Sequence, residues 1–227
     1  MGVKSKIVLT TEELFDLRHT LLKEFLLRFK YPWEALPGLT KMVAALAQAY
    51  EDDDEYYLIE EGVIVHKEAE VAPSAYLGAP CIIGAGSEVR HGAFIRGGVI
   101  VGEGCVVGKS CELKNAALFD GVQVPHFNYV GDSILGYRSH MGAGAVTSNV
   151  KTDRTPVTVR AGEERIPTGL KKFGAMLGDF VEVGCNSVLN PGTVIGRGTH
   201  VYPLSSLRGV YPPDCIVKDG ERVVPRR

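Results

Sequence analysis

Apolar residues recur every six positions along much of this chain. Counting from Val71, they fall at Leu77, Ile83, Val89, Ile95, Val101, Val107, Leu113 and Phe119. A second run takes in Leu177, Val183, Leu189, Ile195, Val201 and Leu207. A helix repeats near 3.6 residues and a strand at two, so neither alone gives six. A short strand followed by a tight turn does, and three such units close a triangular coil of about 18 residues. The glycines that often follow the apolar position (Gly78, Gly84, Gly102, Gly108, Gly178, Gly184, Gly196) suit such turns. Stacked coils about 4.8 Å apart would bury one another's apolar residues.

The pattern changes at the N-terminus and again between the two runs. Over 10–29, Leu14, Leu17, Leu21, Leu22, Phe25, Leu26 and Phe29 fall at helical spacing behind a capping box of Thr10 and Glu13. "YPWEALPGLT" breaks that helix, and "KMVAALAQAYE" predicts a second, with Met42, Val43, Leu46 and Tyr50 on one face. The division is then 1–56 as a helical hairpin and 57–227 as the coil domain, with the acidic run Glu51–Glu55 as a solvated connector. The hairpin either covers the open end of the first coil or contacts a partner; a solenoid end needs cover. Between the runs, about 148–175 is an inserted loop carrying Lys151, Arg154, Arg160, Arg165, Lys171 and Lys172. A loop of that length inside a compact domain is usually functional.

Composition narrows the function classes. The 227 residues are 45% apolar and 23% charged, as in an ordinary globular chain, and the formal charge of −2 excludes a generic nucleic-acid binder. No apolar run reaches the roughly 20 residues that span a bilayer, and "MGVKSK" carries neither a signal-peptide core nor a myristoylation match. The five cysteines form no CxxC pair, which suits reduced thiols in the cytoplasm.

Two cations break the glycine rule. Arg96 follows Ile95 and Lys114 follows Leu113, one coil later, so they stack at one corner about 5 Å apart. Like charges so placed need a counter-charge. Glu112, Asp120, Glu103 or an anionic ligand would serve, and Arg with Lys makes a phosphate clamp. Arg90, on another corner, is an ordinary surface charge. After Phe119 the ladder continues only through irregular steps, Val124, Val130, Leu135 and Met141. The irregular stretch is "VPHFNYVGD", where Pro125 cannot donate to a ladder and His126 is expected at a corner one coil after Lys114.

The hexads resemble those of the hexapeptide-repeat acyltransferases over about residues 60–220, and imply a mainly β fold, the left-handed parallel β-helix. "HFNYVGD … GAGAVTSN" further resembles the acetyltransferase half of the bifunctional enzyme that makes UDP-N-acetylglucosamine. That resemblance implies acetyl transfer from acetyl-CoA to the amine of an amino sugar phosphate. His126 would be the general base, an imidazole being the side chain that exchanges protons near neutral pH. Arg96 and Lys114 would hold the phosphate, and Tyr129, Asn149 and His140 would line the sugar site. Ala143, Gly144 and Cys185 would meet the donor, with turn N–H groups of 142–144 facing the developing oxyanion. Lys171, Lys172 or Arg165 would meet the CoA phosphates, unless they form a solvated surface. His126 as a structural corner residue and Tyr129 as plain packing stay open.

The family also implies a homotrimer whose inserted loops reach the neighbouring subunit. Three positions depart from its pattern: His140 for an asparagine, Val150 for a tyrosine and Cys185 for a serine. The Gly-rich signature of the nucleotidylyltransferase half is not in this sequence, so the chain by itself is not expected to make a nucleotide sugar. A non-catalytic trimer that binds sugar nucleotides and partners a nucleotidylyltransferase is the alternative. Zinc chemistry, known on the same fold, needs converging histidines; the six here lack the His-x-x-x-x-His spacing, so no metal is expected.

Overall fold

A computed structural model of the protein describes residues 10–219 and 222–226. Residues 1–9, on which the leader and myristoylation readings rest, lie outside the described residues, as do 220, 221 and 227. The fold is the mainly β, parallel β-helix expected: a solenoid of about nine turns with a short N-terminal helix. Each coil has three faces. The first stacks Glu70–Val71, Glu88–Val89, Val106–Lys109, Gln123–His126, His140–Met141, Glu182–Val183, His200–Val201 and Cys215–Val217 in parallel. The second and third are joined into single long strands at Glu112–Leu118 and Tyr129–Leu135. The inward residues Val89, Val107, Leu113, Val124, Val130, Met141, Leu177, Leu189 and Ile195 are buried in one continuous core.

The ladder slips earlier than the hexads suggest. Leu118, not Phe119, pairs with Val101. From Ile95 to its partner position at Val99 takes four steps, whereas Leu113 to Ala116 and Val130 to Ser133 take three. The corner Gly97-Gly98 is replaced by the single residue Asn115, and one coil on by Asp132, both with left-handed φ of 46° and 48°. Asn and Asp tolerate that conformation through their short polar side chains. The coil is thereby shortened by one residue, and Phe119 is left to pack instead against Phe15, 5.1 Å away.

The N-terminal segment is not a helical hairpin. The capping box forms as expected, but its helix is only Thr11–Leu14. Phe15 and Thr20 are extended, a 3-10 turn covers Leu17–His19, and the helix resumes only at Lys23–Leu26; Pro32–Ala35 is a further 3-10 turn, and the one long helix is Leu36–Ala49. Tertiary contacts override the helical spacing. Leu14 O accepts from Asp179 N–H and the Arg197 guanidinium, Asp179 accepts from Asp16 N–H, and His19 O accepts from Asp120 N–H. The backbone thus bonds to the solenoid's corner instead of to itself. Nor does this segment cap the end of the solenoid: Leu36–Ala49 packs on Cys81–Ile83, Val99–Val101 and Glu112–Leu118 of the third face. The two ends are closed by antiparallel strands, Tyr56–Glu60 on Val63–His66 and Val223–Pro225 on Cys215–Val217.

The insertion at 148–175 is not structureless. It holds an antiparallel hairpin, Thr158–Ala161 with Glu164–Pro167. It packs on its own coils through the buried Val157 and Val159, and returns through Phe173, which stacks on Trp33 at 5.7 Å.

Candidate functional site

The second face is narrow, and the candidate residues lie on its two edges. On the edge shared with the third face, Arg96 and Lys114 stack on adjacent coils as expected. Both already have protein counter-charges: Arg96 bonds Glu112 at 2.8 Å, and Lys114 lies 3.4 Å from Asp132. Glu112 is thus one of the expected partners, while Asp120 and Glu103 sit at a different corner, where the Asp120 carboxylate accepts from the Glu103 N–H. Two cations and two carboxylates leave the cluster neutral. The Glu112 bond holds the Arg96 guanidinium above its ordinary range.

Asp132 is the organising residue of this corner, and the sequence reading did not single it out. It is 4% exposed. Its carboxylate accepts from Asn115 Nδ2 at 2.9 Å, from Lys114 and, in a short contact, from Asn149 Nδ2. Asn149 also donates to the Tyr129 hydroxyl at 3.2 Å, so the predicted sugar contacts Tyr129 and Asn149 are joined to the predicted phosphate contacts. The Tyr129 ring folds over Gly131: a Cβ there would fall 2.4 Å from the phenol oxygen. Burial, then the Asp132 and Glu112 carboxylates, push the Tyr129 phenol above its ordinary range. Asn115 reaches back to the long helix, donating to Leu36 O and accepting from the Thr40 hydroxyl. The available signal was the Lys-Asn and Gly-Asp corner pairs 17 residues apart.

On the opposite edge stands His126, exposed and paired in register with Lys109. This corrects the expectation that it follows Lys114. The next corners in line are Ala143-Gly144 and Cys185: Gly144 N–H donates to His126 O, Asn186 N–H to Ala143 O and Leu204 N–H to Cys185 O. The predicted base and donor contacts therefore share one edge, with Cys185 exposed. Asn128, 2% exposed, fixes the turn. It accepts from His126 N–H and donates to Gly142 O and Ala145 O. The His126 ring has no side-chain hydrogen bond among the described residues.

The structure does not bring His140 to this face. It lies on the first face, bonded to Glu182 at 2.8 Å in a groove with Gln123, Glu103 and Asp120. Lys171 and Lys172 are exposed just before Phe173, and Arg165 is on the hairpin, so these three form no single cluster. Among the described residues no group of three His, Cys, Asp or Glu side chains stands close enough to hold a metal, and no helix is long and apolar enough to cross a membrane.

Comparison with known proteins gives the chain a family. The family described as GMPPB C-terminal domain matches residues 79–195, just over half of the chain. The chain belongs to that family. The chain is 36% identical over 92 residues to a bifunctional sugar-1-phosphate nucleotidylyltransferase/acetyltransferase of Sulfurisphaera tokodaii, covering 40% of this chain and 23% of that one. It is 31% identical over 113 residues to the bifunctional protein GlmU of Methanococcus aeolicus, covering 50% and 27%. The chain thus spans about a quarter of the length of these relatives, and the matched stretch is their acetyltransferase part. A solved UDP-N-acetylglucosamine acyltransferase from Campylobacter jejuni is 17% identical with a TM-score of 0.36, covering 70% of this chain and 72% of that one. Likeness at that level assigns no role to any residue. The family match leaves out the segment before residue 79, and so Leu36 and Thr40, which touch the Asp132 corner.

Proposed function

We propose that this protein transfers the acetyl group of acetyl-CoA to the amine of an amino sugar phosphate or nucleotide-linked amino sugar. The observation that carries the reading is that one narrow face has His126, Ala143, Gly144 and Cys185 along one edge and the Arg96–Lys114–Tyr129–Asn149 cluster along the other. The names of the two relatives, each bifunctional, support it. In the mechanism, His126 takes a proton from the amine as its nitrogen attacks the thioester carbonyl. The C–S bond then breaks, leaving the amide and the CoA thiolate, which regains a proton. In the 142–144 turn, Gly142 N–H and Gly144 N–H already donate to Val183 O and His126 O, so the oxyanion would be met by the Ala143 N–H alone. Tyr129, held by Asn149, orients the sugar, and the phosphate draws Arg96 from Glu112.

A homotrimer completes the proposal, since the resemblance implies one. Tyr76 and Phe94, 58% and 44% exposed on the second face, support it as a surface for another copy. A cytoplasmic location fits five unpaired cysteines.

The test is thiol release from acetyl-CoA with a panel of amino sugar phosphates and nucleotide-linked amino sugars, wild type beside His126→Ala. Release by the wild type alone is expected. No release from either protein with any acceptor sinks the acetyltransferase reading, and equal release removes His126 as base. The second reading, a non-catalytic trimer that partners a nucleotidylyltransferase, is favoured by one observation: both corner cations are already neutralised. Co-elution with a nucleotidylyltransferase on gel filtration, without thiol release, supports that reading instead.

A further inference from the structure

Uncompensated positive charge in this protein lies elsewhere, further along the same edge. Lys151, Thr158, Arg160, Arg165, Pro191 and Arg208 line a concavity of about 330 Å³. Four of the six are cations and none is a carboxylate. Lys151 alone has an acidic partner, Asp153 at 3.5 Å. Arg165 donates only to the carbonyls of Gly162 and Glu164, and Arg208 to the Asn190 side chain at 3.4 Å. Arg160, Arg165 and Arg208 are in no ion pair among the described residues.

The backbone places these charges together at a cost. Arg160 and Arg165 are directly opposite each other in the hairpin register, a like-charge pair that destabilises a two-stranded sheet. The hairpin is nevertheless pressed firmly onto the coils. Val157, Val159 and Ala161 are buried while Arg160, between them, points outward. Gly209, at φ 90°, lets the Arg160 carbonyl approach so closely that a Cβ would fall 2.6 Å from its oxygen. Arg208 stands on the corner column of Asn190, Ser148 and Gly131, three coils and roughly 14 Å beyond the coil that carries Asp132. The concavity is therefore separate from the Asp132 corner and lies across the second face from Cys185.

We infer that Lys151, Arg160, Arg165 and Arg208 form a binding site for the diphosphate group of a nucleotide. Three guanidinium forks can each engage phosphate oxygens in pairs. Four cations around a cavity of this size suit two linked phosphates better than one. The nucleotide is either the nucleotide end of the acyl donor or a separate nucleoside diphosphate. The site stands whether or not the chain transfers acetyl groups, because binding alone shows it.

The experiment is calorimetric titration with inorganic pyrophosphate, then CoA and UDP as competitors, on wild type, Arg160→Ala, Arg165→Ala and the double variant. Arg222→Ala, exposed and outside the concavity, is the control for bulk charge. Both hairpin arginines are exposed, so the variants are expected to fold; far-UV circular dichroism checks this. Each single variant should bind pyrophosphate about tenfold more weakly, the loss of one charge-assisted contact, and the double variant weaker still. Wild-type affinity should fall steeply with salt, while Arg222→Ala stays unchanged. Displacement of pyrophosphate by CoA assigns the site to the donor, and displacement by UDP alone to a separate nucleotide. Wild-type binding no tighter than that of the double variant overturns the inference. None of these readouts needs turnover, so a failed acetyltransferase assay leaves them standing.

Discussion

Asp132→Ala is the perturbation that most directly tests the corner. Removing the carboxylate leaves Asn115 Nδ2 and Asn149 Nδ2 without their main acceptor and Lys114 without a partner. The two buried amide bonds cost about 1 kcal/mol each. The Lys114 contact, with the lysine side chain 28% exposed, adds less than about 1 kcal/mol. Alanine at a φ of 48° adds about 1 kcal/mol of backbone strain that aspartate tolerates better. The total is about 3–4 kcal/mol, which for a chain of this size lowers Tm by roughly 10 °C. Urea unfolding followed by circular dichroism measures the loss. Asp132→Asn, which keeps the turn preference and one acceptor, should lose about half as much. A cycle with Asn149→Ala should show a coupling of about 1 kcal/mol. If Asp132→Ala unfolds within about 1 kcal/mol of wild type, the corner is not organised by this carboxylate. The same variant frees Asn149 and so Tyr129, and should raise KM for the sugar while leaving KM for acetyl-CoA in place.

Glu112→Gln frees Arg96 without shortening the side chain, so it should lower KM for a phosphorylated acceptor by at most a few-fold, read in steady-state kinetics; a raised KM would count against the clamp. Burial pushes the Cys81 and Cys105 thiols up to about 12, and Cys111 and Cys215 are buried as well. Iodoacetamide at pH 8 on the native protein should therefore label Cys185 first, by peptide mass spectrometry, and acetyl-CoA should slow that labelling. Arg18 holds the Asp16 carboxyl well below the usual carboxylate range. A depressed folded value means that its stabilisation is present above pH ~4 and is lost as pH falls below that. Amide exchange across 11–19 should therefore quicken in acid, and Asp16→Asn should flatten that dependence.

The solenoid was legible because its inward positions carry a strict period, and Leu113, Val124, Val130 and Met141 are buried where the ladder places them. What the period could not reveal was the length of each corner. Asn115 occupies the place of Gly97-Gly98, and the substitution is visible only once strands are paired, so the period alone puts Phe119 on the ladder and His126 one coil after Lys114. The long first helix failed for a different reason. Leu14, Leu17 and Leu22 are buried as the pattern requires, but in a groove of the solenoid whose corner groups at Asp120, Asp179 and Arg197 compete for the backbone. The cluster of Arg96, Lys114, Tyr129 and Asn149 was legible from motif offsets, while Asp132 was hidden because a Gly-Asp corner is also an ordinary turn. His140 was misplaced because matching offsets carry no information about which face a residue takes.

The distribution of charge decides how the site can work. At the Asp132 corner each cation has its own carboxylate, but the two pairs are not alike. Arg96–Glu112 is exposed on both sides, 45% and 35%, and such a pair is held weakly against water and salt. Lys114–Asp132 is closed on its acidic side at 5%, and separating it would leave a buried carboxylate short of a donor. A phosphate arriving here therefore competes only for Arg96, and Lys114 keeps Asp132 in place and with it Asn149 and Tyr129. On the proposed reading the corner would discriminate by exchange: an acceptor would need enough negative charge to replace Glu112, which an amino sugar without a phosphate does not carry. A purely structural corner has no such requirement. Binding by a phosphorylated amino sugar and not by its dephosphorylated form, lost in Arg96→Ala and kept in Arg90→Ala, separates a substrate site from a turn that happens to carry charge.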